Sequence, residues 1–269
     1  MTNPVTLSIE AHLDYRFATP TDFLLQMEAA VIPEQTVRNA ILTTTPTDHF
    51  TRVAAQDLIG ERIWARHEGN FAATYSAEVD ILRVLGDVSE FDGVPPHLLP
   101  GETVQYLMDS RYCPSQRLQH FVCAEFGNLH GGALVAAVHD WITCHYSYEP
   151  GSSDSNTTAL DSFVERRGVC RDFAHTLIAM VRAAAIPARF VSAYAPGVTP
   201  QDFHAVAEVF LATPGGDGGT WHLVDATGMA SSADIAKIGI GRDAADCSFL
   251  SCYGNAELCD KQITVTQLG

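Results

Sequence analysis

Every second residue from Val5 to Phe17 is apolar, and most of the residues between them are polar. This period of two is typical of a strand with one buried face, because successive side chains of a strand point to opposite faces. The alternation returns from Phe71 to Ile81, and shorter β-like stretches lie at 37–42 and 63–67. We therefore predict a small antiparallel β-rich domain over residues 1–88.

The pattern of residues changes after this region. Residues 89–103 are rich in proline and glycine and are predicted to form an irregular linker. The pattern then predicts helices at 104–109, 116–126, 133–144, 158–166 and 170–185, followed by strands at 188–194, 204–211 and 220–224. Asn156 or Thr157 is the predicted N-cap of the fourth helix. Helices followed by strands indicate an α+β domain over residues 104–269.

The chain is strongly acidic, with 16 Lys and Arg residues against 32 Asp and Glu residues and a formal charge of −16. This charge repels nucleic-acid phosphates and anionic lipid surfaces, so we expect no nucleic acid and no membrane as partner. It favours a neutral or basic protein or peptide substrate. The first ten residues lack the features of a signal peptide, and no apolar run is long enough to span a bilayer, which predicts a cytoplasmic protein.

Seven cysteines are scattered at positions 113, 123, 144, 170, 247, 252 and 259. An odd number without a Cys-x-x-Cys pair predicts reduced thiols rather than disulfides or a zinc site. We expect no metal and no cofactor. Six of the seven are interpreted as buried small apolar residues, Cys170 being the exception.

Cys170 lies two residues after the glycine at 168 and begins a predicted helix, where unsatisfied backbone N–H groups and the helix dipole favour a thiolate. A thiolate nucleophile needs a base, and the base needs an orienting carboxylate. His204 begins one predicted strand and Asp225 ends the next, so adjacent strands can hold both beside the helix. His222 is three residues before Asp225, an odd spacing that places the two side chains on opposite faces of the sheet. His222 is therefore predicted to point away from the helix.

Two further residues near the candidate nucleophile are predicted to be structural. His175 lies about 140° around the helix from Cys170, at 100° per residue, and is interpreted as a core or supporting residue. Asp172 is predicted to cap the helix or to pair with Arg171 or Arg167.

Four segments carry a family resemblance. They are 168–175 (Gly-Val-Cys-Arg-Asp-Phe-Ala-His), 186–194, 203–208 and 221–227, and their order and content resemble the bacterial transglutaminase-like superfamily. The resemblance implies a papain-like transglutaminase core of helices packed on an antiparallel sheet, preceded by a β-rich domain. It also implies a triad in which Cys170 is the nucleophile, His204 the base and Asp225 the orienter. The chain departs from the family at two supporting positions, Val206 and Ala226.

The resemblance implies acyl transfer on an amide. Peptide hydrolysis is the expected outcome, and the same triad also serves transamidation. The candidate donors to the oxyanion are the backbone N–H of Cys170 and a side chain in 145–148, with Tyr146 as the first candidate. The alternative is a non-catalytic binding or scaffold protein that retains the fold, although an intact Cys–His–Asp set argues against it.

Overall fold

A computed structural model of the chain describes residues 4–83, 85–213, 215 and 218–268. The strands, in chain order, are β1 (Val5–Leu25), β2 (Gln35–Thr44), β3 (His49–Ala54), β4 (Glu61–Ile81), β5 (Ser147–Tyr148), β6 (Arg167–Gly168), β7 (Ala188–Tyr194), β8 (His204–Ala212), β9 (Gly219–Val224), β10 (Ala236–Gly241), β11 (Leu250–Cys252) and β12 (Ala256–Leu268). The α-helices are α1 (Gln119–Phe126), α2 (Gly131–His145), α3 (Ala159–Glu165) and α4 (Cys170–Ala183).

The first sheet is built on two long strands. β1 and β4 pair antiparallel from Val5 opposite Ile81 to Leu25 opposite Ile63. The apolar odd positions from Leu7 to Phe17 are buried in the core, as the alternation predicts. The separate stretches predicted at 63–67 and 71–81 are parts of one strand, β4, and the sequence pattern did not reveal β3.

The C-terminal strands return to this first sheet. β12 pairs antiparallel with β1 from Thr6 opposite Leu268 to Phe17 opposite Ala256, and β11 pairs with the far end of β1. The prediction assigns the whole of 104–269 to the catalytic domain, but residues 250–252 and 256–268 complete the sheet that lies mostly within 1–88. β1 would otherwise leave one long edge unpaired, and β12 covers it.

The second sheet carries the strands predicted after the helices. Its order is β10-β7-β8-β9, with antiparallel neighbours throughout. α4 packs on β7 and β8, and all its residues from Asp172 to Arg182 are buried. Helices packed on an antiparallel sheet confirm the predicted α+β fold. β10 was not predicted.

Several helix boundaries differ from the predicted ones. α3 begins after Thr158, whose hydroxyl accepts the Asp161 N–H while the Asp161 carboxylate accepts the Thr158 N–H, so Thr158 is the N-cap rather than Asn156 or Thr157. The segment predicted as a helix at 104–109 is a 3-10 helix over Gly101–Leu107. None of the described helices can cross a membrane alone by length and composition, although Ser115–Phe126 and Gly131–His145, bent by 98°, pass that test as a pair.

A buried ion cluster joins the two sheets. Glu208 of β8 binds Arg189 of β7 at 2.7 Å and also Lys237 of β10, whose Nζ lies 2.5 Å from Glu34 beside β2. Burial acts to raise the pKa of Glu208, but the charges of Lys237 and Arg189 lower it to about 2. The Tyr194 hydroxyl donates a 2.6 Å hydrogen bond to the carbonyl of Met27, which follows β1 of the first sheet. The sheets therefore hold each other through polar contacts as well as apolar packing.

Candidate active site

Cys170 is the first residue of α4. Asp172 accepts the Val169 N–H at 2.8 Å and the Ser153 hydroxyl at 2.5 Å, which caps the helix and confirms the predicted structural role of Asp172. Gly168 is required before the helix because a Cβ there would lie 2.5 Å from the Asp172 Cβ. The thiol is thus held at a helix N-terminus, where the dipole favours negative charge.

His204 begins β8 directly after a loop that the C-terminal strand holds. Gln201 Nε2 donates to the Val265 carbonyl at 3.0 Å, and Gln201 Oε1 accepts the Val265 N–H at 2.6 Å. Lys261 Nζ lies 2.5 Å from Asp202 Oδ2. These contacts tie the loop to β12, so the C-terminal strand helps to fix the position of His204.

His204 and Asp225 form a buried pair, with Nε2 2.9 Å from Oδ2. The strand register explains their approach. Ala207 lies opposite Val224, so extending the ladder by one residue sets Asp225 opposite Val206. His204 is two residues along from Val206 on the same face, which makes His204 and Asp225 diagonal neighbours. The structure therefore brings together these two predicted residues.

The carboxylate of Asp225 has no free acceptor position. Its Oδ2 also accepts the Ala230 N–H at 2.8 Å, and its Oδ1 accepts the Thr227 N–H at 2.9 Å and hydroxyl at 2.7 Å. Burial acts to raise the pKa of Asp225, but the hydrogen bond and charge of His204, with help from Thr227, hold it below its usual range. His139 of α2 contacts the Asp225 carbonyl at 3.1 Å. The hydrogen bonds therefore hold the Asp225 carboxylate in place and keep it ionised.

The protonated form of His204 is favoured. Burial alone lowers the pKa of the ring, but the hydrogen bond and charge of Asp225, together with the influence of Cys170, outweigh burial and raise the pKa to about 9. The ring therefore carries a proton at neutral pH.

The Cys170 thiol influences the ionisation of two neighbouring side chains, the His204 ring and the Tyr148 hydroxyl. The buried Nδ1 of His204 makes no hydrogen bond among the described residues. Burial and the charge of Cys170 raise the pKa of Tyr148 to about 12. Tyr146 was predicted as an oxyanion donor, but its hydroxyl donates to Thr176 in the core at 3.2 Å, so that prediction is wrong.

The two remaining histidines of these motifs lie elsewhere. His175 is fully buried, stacks on Tyr112 with 5.2 Å between ring centroids, and accepts the Ala244 N–H at 3.1 Å. Burial lowers the pKa of His175 well below its usual value, which keeps the ring neutral in the core. The His222 ring stacks on Phe91 at 4.3 Å. Neither ring makes a hydrogen bond to Cys170 in the described part of the chain, as predicted.

The other cysteines are less uniform than predicted. Cys113 and Cys247 are buried and Cys252 is half-buried, but the thiols exposed to solvent are Cys123, Cys144 and Cys259. The interpretation of all six as buried residues is therefore wrong for these three. All seven cysteines are described by the structure, and each is a free thiol.

One group of potential metal ligands lies on the first sheet, away from the second sheet and α4. The ligand atoms of His12, Asp14 and Asp260 lie within 4.8 Å of one another on β1 and β12. Asp14 and Asp260 are directly opposite each other in the ladder, a proximity that the sequence pattern did not reveal. All three side chains are at least partly exposed, and we assign no ion to them.

Comparison with known proteins places this geometry in a family. The model of the transglutaminase-like superfamily matches residues 124–226, a stretch that contains all three candidate catalytic residues. The crystal structure of a "putative cysteine protease" from Cytophaga hutchinsonii is 33% identical, with a TM-score of 0.92, and the match covers 100% of this chain and 92% of that chain. The chain belongs to the transglutaminase-like superfamily. The predicted resemblance is confirmed, and the superfamily match extends over α2 to β9.

A further relative is an uncharacterized protein of Mycobacterium leprae, strain TN. It is 30% identical over 122 residues, which cover 42% of this chain and 41% of that protein. This chain thus matches less than half of the length of that relative. The near-complete match to the Cytophaga structure shows in addition that the first sheet and its C-terminal strands belong to a shared architecture.

Proposed function

We propose that this transglutaminase-like protein is a cysteine enzyme that hydrolyses an amide bond in a peptide or protein, with Cys170, His204 and Asp225 as its catalytic triad. The observation that carries the proposal is the 2.9 Å bond between His204 and Asp225 beside a cysteine at a helix N-terminus. The name of the Cytophaga relative, which is 33% identical, favours hydrolysis over transamidation.

The chemistry follows from the positions of the three groups. The Cys170 thiolate attacks the amide carbonyl carbon and forms a C–S bond, and the carbonyl oxygen becomes an oxyanion. His204 then donates its proton to the leaving nitrogen as the C–N bond breaks, which leaves an acyl-enzyme. Water attacks the thioester, His204 takes the water proton, and the C–S bond breaks to release the acid. Asp225 holds the ring and its charge through both steps.

The test combines thiol mapping with turnover. Native protein is treated with iodoacetamide near pH 6, where unassisted thiols react slowly, and the labelled peptides are mapped. We expect Cys170 to react at least tenfold faster than Cys123, an exposed thiol on α1. A peptide library is then incubated with wild type, Cys170→Ala and, as the matched control, Cys123→Ala, and the cleavage products are read by mass spectrometry.

Cleavage by wild type and Cys123→Ala, and none by Cys170→Ala, supports the proposal. A primary amine included in a parallel reaction reports transamidation, since the amine would then appear in the products. Undiminished cleavage by folded Cys170→Ala would overturn the proposal. So would equal labelling of Cys123 and Cys170 in wild-type protein that cleaves nothing in the library.

A further inference from the structure

His204 lies at the end of its strand ladder. On one side, the pairing of β7 with β8 ends at Ala193 opposite His204, and on the other side the pairing of β8 with β9 begins only at Ala207. Backbone at the end of a ladder opens more easily than backbone in its middle. The position of the His204 ring therefore depends on the loop that leads into β8, residues 195–203.

Gln201 connects this loop to the C-terminal strand in the way that a neighbouring strand residue would. Its Oε1 accepts the Val265 N–H at 2.6 Å, and its Nε2 donates to the Val265 carbonyl at 3.0 Å. The same Nε2 donates to the Pro196 carbonyl at 3.1 Å, across the loop. The amide oxygen and both amide hydrogens are therefore used. Val265 is buried and lies opposite Ile9 of β1, so the loop is bound to a strand that the first sheet holds in place.

The two residues after Gln201 are held from the same side. Asp202 pairs with Lys261 of β12 at 2.5 Å, and its other carboxylate oxygen accepts the Phe203 N–H at 2.7 Å. The buried Phe203 ring stacks on Phe249, just before β11, with 4.9 Å between ring centroids. Three successive residues that lead into β8 thus contact the C-terminal part of the chain.

The three contacts differ in what they fix. The Phe203 ring fills the core, where its burial supports the fold as a whole. The ion pair between Asp202 and Lys261 has side chains that are 37% and 28% exposed, so solvent screens it and it tolerates movement. The paired bonds of the Gln201 amide to one peptide group require a single orientation. Gln201 is therefore the residue that fixes the direction in which the chain enters β8.

We propose that Gln201 is a positioning residue that holds His204 against Asp225 and Cys170 by binding the loop to the C-terminal strand. The proposal rests on the proposed function and deepens it, because it makes β12 part of the catalytic apparatus. Without the amide bonds, the end of β8 moves more freely, and the 2.9 Å approach of His204 to Asp225 is kept for a smaller fraction of the time. A displacement of about 1 Å at a reacting group can lower the rate about 10²-fold.

The experiment compares Gln201→Met with Gln262→Met. The first change removes three hydrogen bonds without adding a charge, and the second removes an exposed amide of β12 that donates to Asp260. For Gln201→Met we expect kcat to fall between about tenfold and about 10²-fold, with KM nearly unchanged. For Gln262→Met we expect kcat within about twofold of wild type. Melting curves verify the fold, and Gln201→Glu, which keeps the acceptor for the Val265 N–H and loses both donors, is the replacement if Gln201→Met melts early.

A second measurement follows the His204 ring and needs no substrate. NMR of histidine-labelled protein gives the pKa of each ring, and the His204 signal is identified by its loss in His204→Ala. The side chains that raise this pKa, Asp225 and Cys170, are unchanged in Gln201→Met. We expect the pKa of His204, about 9 in wild type, to fall by at least about 0.5, because a looser contact with Asp225 stabilises the imidazolium less. A residue that served only the stability of the loop would leave this titration unchanged.

Both measurements must change for the assignment to stand. A loss in kcat of less than about tenfold in folded Gln201→Met would overturn it. An unshifted His204 titration would overturn it as well, because Gln201 would then not act through His204. Either result leaves the proposed function in place while Cys170→Ala is inactive. Turnover that survives Cys170→Ala would instead remove the proposed function itself, which makes the two failures distinguishable.

Discussion

Replacing Asp225 by asparagine changes a carboxylate that accepts four hydrogen bonds. One oxygen accepts two from Thr227, and the other accepts one each from His204 and the Ala230 N–H. Asparagine has one oxygen and one NH2 group, so in either orientation two donors face an NH2. With the oxygen toward Thr227, the NH2 faces His204 Nε2 and selects the tautomer protonated on Nδ1, which cannot accept the Cys170 proton.

The size of the effect follows from the pKa of His204. The pair with Asp225, together with Cys170, raises this pKa from 6.5 to about 9, a difference of 2.5. At about 1.36 kcal/mol for each pKa unit, Asp225 and Cys170 together stabilise the imidazolium by about 3 kcal/mol, or roughly 300-fold, and Asp225 makes the larger contribution. The tautomer change adds to this loss, and the same substitution in serine-protease triads costs about 10⁴-fold. We expect kcat/KM of Asp225→Asn to fall by between about 300-fold and about 10⁴-fold.

The assay measures kcat/KM on a peptide that the wild type cleaves, with the free energy of unfolding measured in urea for each variant. The matched control is Asp140→Asn on α2, whose side chain is 79% exposed and which should stay within about twofold of wild type. The pH above which wild-type activity declines, expected near 9 from the His204 pKa, should move lower in Asp225→Asn. Activity within tenfold of wild type in a folded Asp225→Asn protein would refute the reasoning.

Two further predictions concern stability. Glu208→Gln leaves two buried cations without their shared carboxylate, so we expect the free energy of unfolding in urea to fall by about 3–5 kcal/mol. The control Arg38→Gln removes an exposed ion pair and should lower it by less than about 1 kcal/mol. Equal small losses in both variants would contradict this prediction. The pKa of His204 is higher in the folded protein than in the unfolded chain, so its stabilisation is fully present below about pH 6.5 and is lost as pH rises to about 9. The difference in unfolding free energy between wild type and His204→Ala should therefore shrink over this range, and a difference that grows with pH would count against the ion pair.

The strongest periodic patterns in the sequence predicted their elements well. The alternation of β1 and the long apolar helix α4 are each maintained over many residues, so the burial of one face leaves little choice of structure. β12 lacked this signal because only Ile263 and Val265 in it are buried. An edge strand that covers a sheet with few apolar residues resembles a polar loop in sequence, which explains why its pairing with β1 was missed.

The candidate triad was predictable for a different reason. The motifs show local features that place each residue. The cysteine lies at a helix start shortly after a glycine, and the histidine and the aspartate lie at the ends of two successive strands. Adjacent antiparallel strands then bring the ends together with few possible registers. The catalytic roles remain a proposal, but the 2.9 Å approach of His204 and Asp225 was expected from the sequence.

Residue type, order and period thus determined the α+β fold, the helix that carries Cys170, and the pairing of His204 with Asp225. Only the tertiary structure decided that the Tyr146 hydroxyl is used in the core, where it donates to Thr176, because Tyr146 and Tyr148 have the same chemistry and the same strand parity. It also decided that β12 holds the loop before His204 through Gln201, a contact between residues 64 positions apart in the chain. Local patterns record which face of an element is buried, whereas contacts between distant elements depend on how the whole chain closes upon itself.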